Sequence, residues 1–92
     1  MRKQQIQLKI SGKVQGVYYR ASMQRKAREL GITGLVRNEP DGSVYAEAEG
    51  DEKQLETLLD WCRQGPPAAE VERVSAQAGQ WTSREDFIIQ RN

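Results

Sequence analysis

The chain has 92 residues, 37% hydrophobic and 29% charged, with a net charge of +1 and no histidine. That balance fits one globular domain spanning residues 1–92 rather than a disordered segment. The missing histidine excludes a Ser-His-Asp triad and a Cys/His zinc site, and no apolar run approaches the ~20 residues of a membrane span.

The charge is unevenly spread. Residues 1–40 carry nine Lys/Arg against two Glu, whereas residues 41–92 carry five against eleven Asp/Glu. This pattern admits an anion-binding half, or two halves that interleave in space. The N-terminus "MRKQQIQLKI" lacks the apolar stretch of a signal peptide. Cys62 is the only cysteine, which rules out an intrachain disulfide and suits a reducing cytoplasm.

In chain order, Ile6, Leu8 and Ile10 alternate with polar residues, which predicts a half-buried first strand. Residues 20–30 read as a helix with Ala27 and Leu30 inward and Arg25, Lys26 and Arg28 outward; Gly31 is placed for a left-handed C-cap. "ITGLVRN" is a second short strand, "EPDG" at 39–42 a turn, and "SVYAEAE" a third strand that completes a hairpin. A second helix opens at Asp51, with Gln54 three residues on as in a capping box. Leu55, Leu58, Leu59 and Cys62 form its apolar stripe, and Gly65-Pro66-Pro67 ends it. Cys62 then reads as a small buried hydrophobe rather than a nucleophile. "VERVSAQA" is a fourth strand with Val74 and Ala76 toward the core, and "DFIIQR" a closing strand.

The order β-α-β-β-α-β predicts an α+β, ferredoxin-like βαββαβ two-layer sandwich, with two helices on one face of an antiparallel sheet. The other face is expected to lie largely open to water. A right-handed crossover makes the first two strands parallel, so the loop after strand one and Asn38 at the end of strand two share one edge.

That loop, "GKVQGVYYR" at 12–20, sets Gly12 and Gly16 four apart and ends with Arg20 at a helix start. A cation there is disfavoured by about 0.3–1 kcal/mol without an anion. Two readings fit. The glycines could let several N–H groups converge with Arg20 on a phosphate-sized anion. Equally, this could be an ordinary strand-to-helix turn with a solvated arginine. Asn38 likewise fits a turn-starting residue that bonds its own backbone.

Taken together, the two segments resemble the acylphosphatases. "GKVQGVYYR" is similar to the family's phosphate-binding signature Gly-x-Val-Gln-Gly-Val-x-Phe-Arg. "GLVRNEPDGSVYAEAEG" resembles its second signature, and "GPPAAEVERV" and "FIIQR" resemble its C-terminal part. The resemblance implies hydrolysis of an acyl phosphate to carboxylate and inorganic phosphate. Neither metal, cofactor nor covalent intermediate is expected. It matches Arg20 to the family's phosphate-binding arginine, and Asn38 to the residue that positions the attacking water. The backbone N–H groups of Gln15, Gly16, Val17, Tyr18, Tyr19 and Arg20 match its anion cradle. A carboxylate leaving group needs no general acid, and the substrate's own phosphate can take the water's proton, so the absence of histidine is no obstacle.

Two positions depart from the pattern. Tyr19 stands where Phe is usual, so its hydroxyl must reach water or a partner. Leu35 stands where an aromatic is usual, which is expected to alter packing or substrate access beside the site. The expected protein is a cytoplasmic monomer with no nucleic-acid or membrane partner. Two alternatives stand beside it: a non-catalytic anion-binding regulatory module, and an RNA-recognition-like binder. The acidic neighbours of Tyr45, Glu47 and Glu49, argue against the latter.

Overall fold

The computed structural model describes residues 2–91. The elements run β1 (Lys3–Lys13), α1 (Tyr19–Leu30), β2 (Thr33–Asn38), β3 (Val44–Asp51), α2 (Glu52–Gln64), β4 (Glu70–Ala78) and β5 (Phe87–Ile89). The sheet order is β4-β1-β3-β2-β5. Both β1 and β2 pair antiparallel with β3, so they run the same way and their C-terminal ends share one edge. This is the ferredoxin-like arrangement. The sheet is mixed rather than wholly antiparallel, because β5 pairs parallel to β2.

Alternation sets the core. Leu8, Ile10, Val36, Val44, Ala46 and Ala48 leave one face of the sheet and meet Met23 and Ala27 of α1 and Leu55, Leu58 and Cys62 of α2. Burying each large aliphatic side chain contributes roughly 1.5–3 kcal/mol. α1 packs over β2 and β5, whereas α2 packs over β4, β3 and β1. Ala76 is registered opposite core-facing Leu8 but stays exposed, because it is a small side chain on the edge strand. Among the described residues, no helix is long and apolar enough to cross a membrane.

The far face is not simply open. Residues 79–86 cross it, from Gly79 N–H on the Gln5 carbonyl (3.0 Å) to Gly34 N–H on the Asp86 carbonyl (2.9 Å). Midway lies Glu49, only 1% exposed. Its carboxylate accepts from the Thr82 N–H and hydroxyl (both 2.7 Å), the Arg84 N–H (3.1 Å) and the Gln5 amide (2.7 Å). Burial alone would raise its pKa; these hydrogen bonds outweigh it and hold the carboxyl below its ordinary value. Leu35 is also buried on this face, opposite Glu47 and Ile88. By strand alternation it leaves the sheet on the side opposite Val36 and Asn38, so the departure at Leu35 concerns far-face packing and not access beside Asn38. On the same face, the Tyr45 ring is covered by the Arg37 guanidinium at 4.5 Å, and its hydroxyl donates to Glu47 (2.8 Å).

Gly12 serves the strand and not the loop. It lies within β1, at a shift of register against β4, and a Cβ there would collide with the Glu70 carbonyl oxygen. The glycine allows two backbones to close on each other.

Candidate active site

β1 ends at Lys13, and α1 begins at Tyr19. Between them, buried Val14 and Val17 pin the loop to the core, and Tyr19 pins its far end. Gly16 (φ 74°) and Tyr18 (φ 64°) are both left-handed, with Val17 between them at negative φ. Nothing lies within 4 Å of a Cβ built on Gly16, so that position needs the dihedral and not the space. Alternation of this kind turns successive N–H groups toward one point. A left-handed tyrosine is strained by about 1–3 kcal/mol. It is held there by buried neighbours on both sides, while its own ring is 81% exposed.

The start of α1 carries no side-chain cap and no acidic residue in its first turn. No backbone N–H from Gln15 to Arg20 donates to another described residue. Arg20 is half-buried and makes no ion pair or hydrogen bond with the described residues. It lines a hollow of about 320 Å³ with Gly16, Tyr18, Ile89 and Arg91. Arg91 is a second cation in this hollow. Local sequence reading had no signal for it, because the chain from β5 returns to this edge only in the folded sheet.

Asn38 is the last residue of β2, half-buried, with its Oδ1 atom buried. It is not part of the lining of that hollow. The link between the two segments is Gln15, whose side-chain amide donates to the Glu39 carbonyl (2.8 Å) and the Ser43 carbonyl (2.9 Å). The loop is thereby tied to the turn that follows Asn38.

Tyr19 finds the partner its hydroxyl requires. It donates to the Cys62 carbonyl at 2.7 Å, and its ring stands 5.3 Å from that of Trp61. The residue four on from Cys62 is Pro66, which has no N–H to offer this carbonyl. Tyr19 thus closes the end of α2 while anchoring the start of α1. Burial, then the Cys62 contact, raise the Tyr19 pKa far above its usual value, so it remains a neutral donor. Burial also pushes the Cys62 thiol up to about 12, which leaves it inert as a nucleophile.

Fold and loop together define a small α+β domain with an uncapped helix start that carries an arginine. Comparison with known proteins narrows the class. The acylphosphatase family model matches residues 6–89. An acylphosphatase of Marinobacter nauticus is 61% identical over 70 residues, covering 76% of each chain. One of Thermococcus kodakarensis is 51% identical over 89 residues, covering 97% of this chain and 98% of that one. The solved acylphosphatase of Coxiella burnetii superposes with a TM-score of 0.92 at 36% identity, covering 96% of this chain and 93% of its own. The chain belongs to the acylphosphatase family.

Proposed function

We propose that this chain hydrolyses acyl phosphates, with phosphate held by Arg20 and the backbone N–H groups of residues 15–20 and the attacking water oriented by Asn38. The observation that carries the reading is the start of α1, where the N–H groups and Arg20 have no acidic or capping partner among the described residues. Helix N-termini of this kind bind phosphate. A guanidinium offers two parallel donors to phosphate oxygens.

The water oxygen attacks phosphorus, and the bond between phosphorus and the acyl oxygen breaks. The carboxylate leaves with the bonding electrons, and the proton lost by water goes to a phosphate oxygen. Charge on the transferring phosphoryl is stabilised by Arg20 and the N–H groups. The Asn38 amide both accepts and donates, which suits it to orienting a water rather than deprotonating it. No step requires a metal or a histidine. We extend the reading to a monomer acting in the cytoplasm, with no nucleic-acid partner.

The test is hydrolysis of benzoyl phosphate in excess EDTA. Wild type is expected to accelerate it over buffer, and Asn38→Ala to lose most of its turnover, with inorganic phosphate still inhibiting what remains. A wild-type rate equal to buffer would overturn the reading.

A further inference from the structure

We propose that the Gln15 side chain is a positioning residue that fixes the distance between the phosphate loop and Asn38. The inference rests on the functional reading above and adds a role for a side chain whose backbone alone that reading uses.

Both hydrogens of the Gln15 amide nitrogen are committed across the site, to Glu39 O at 2.8 Å and Ser43 O at 2.9 Å. Two carbonyl acceptors can be met only by the NH₂ group, which settles which way the amide faces. Glu39 is the residue after Asn38. The turn that Gln15 grips is itself stiff. The Gly42 N–H closes on Glu39 O (3.1 Å) and the Glu39 N–H on Ser43 O (2.9 Å). Asp41 Oδ1 accepts from the Ser43 N–H (2.9 Å) and hydroxyl (2.6 Å), and Asp41 Oδ2 pairs with Lys9 Nζ on β1 at 2.8 Å. On the other side, Val14, Val17 and Tyr19 hold the loop to the core without help from Gln15. Both segments are anchored on the same sheet, and among the described residues the direct hydrogen bonds between the loop and the turn come from the Gln15 side chain. Removing it leaves each segment on the sheet and loosens their separation.

That separation is what water attack depends on. The reacting atoms must be held about 3–3.5 Å apart in line, and an error of about 1 Å costs on the order of 10²-fold in rate. Phosphate binding, in that reading, depends on the loop N–H groups and Arg20 and not on Asn38. Gln15 therefore acts on turnover and not on phosphate affinity, which a merely structural role would not separate.

The experiment measures kcat for benzoyl phosphate and the inhibition constant of inorganic phosphate in wild type, Gln15→Met, Asn38→Ala and the double variant. Met keeps the length of Gln without its donors. Gln15→Met is expected to lower kcat by about 10- to 100-fold and to leave phosphate inhibition unchanged. In the Asn38→Ala background it should have no further effect, since no oriented water remains to misplace. A second variant supplies a pH readout. In Gln15→Glu a carboxylate faces two carbonyl oxygens, which raises its pKa, and only the protonated form can donate. Its kcat relative to wild type should rise as pH falls. An active wild type with an unimpaired Gln15→Met, multiplying losses in the double variant, or a flat Gln15→Glu ratio overturns the proposal. A wild type without turnover overturns the functional reading and the proposal with it.

Discussion

The two helices of this protein begin in opposite ways. α2 starts with a complete capping box: the Asp51 carboxylate accepts from the Gln54 N–H (2.8 Å), and the Gln54 side chain accepts from the Asp51 N–H (2.9 Å). Glu52 adds an acidic group in the first turn. α1 starts with a strained tyrosine, no cap, no acid and an arginine. The other two helix ends are also closed from within. Gly31 and Ile32 return N–H groups to the Arg28 and Ala27 carbonyls, while the Gly65 N–H and the Tyr19 hydroxyl take the Trp61 and Cys62 carbonyls. Three ends are satisfied by the protein, and the fourth has neither a side-chain cap nor an acidic residue in its first turn. The sequence that caps one helix so fully has the means to cap the other, and the bare start of α1 is what the proposed anion site would require.

Arg20→Gln should break the contrast most severely. Loss of one oriented transition-state donor lowers kcat by on the order of 10²–10³, and inorganic phosphate should no longer inhibit. The same change should stabilise the phosphate-free fold by about 0.3–1 kcal/mol, because a cation leaves the positive end of the helix dipole. Calorimetry without phosphate checks this: a lower Tm for the variant would contradict it. Adding phosphate should raise the Tm of wild type and leave Arg20→Gln unmoved.

Tyr19→Phe comes next. It removes the only hydrogen bond that the described residues give to a buried carbonyl Pro66 cannot serve. An unsatisfied buried acceptor costs about 1–3 kcal/mol, which at this chain size lowers Tm by several degrees. A Tm equal to wild type would show that Cys62 O finds another donor. The smallest effect belongs to Asp51→Ala, which opens the closed helix. It should cost about 0.5–2 kcal/mol of stability with kcat unchanged at temperatures where the variant is folded. A fall in kcat would mean that the two helix starts are not independent.

Much of this arrangement is legible locally. The Asp51–Gln54 box, Gly31 and the alternation of Ile6, Leu8 and Ile10 depend on neighbours a few residues apart, and the spacing shows them. Arg20 and Asn38 are legible as sharing one edge only because the loop leading to Arg20 leaves the end of β1 and Asn38 ends β2, two strands that run the same way. The rest is set by contacts distant in sequence. Gly12 reads as a loop glycine until Glu70 is brought against it. Glu49 reads as an ordinary member of an alternating strand, because Thr82 and Arg84, which bond its carboxylate, lie in a segment with no periodicity of its own. The β5 pairing rests on three residues, too few for alternation to give direction. The Gln15 side chain reaches partners 24 and 28 residues away, and no local pattern reports that reach.

The most direct test of the account is a titration of the amide nitrogen–proton NMR spectrum with inorganic phosphate. The largest shifts should fall on the backbone amides of Gln15–Arg20, leave the Glu52–Gln54 amides at the start of α2 in place, and vanish in Arg20→Gln. Shifts centred on α2, or spread evenly over the basic surface and surviving Arg20→Gln, would contradict the claim that the open start of α1 is the phosphate site.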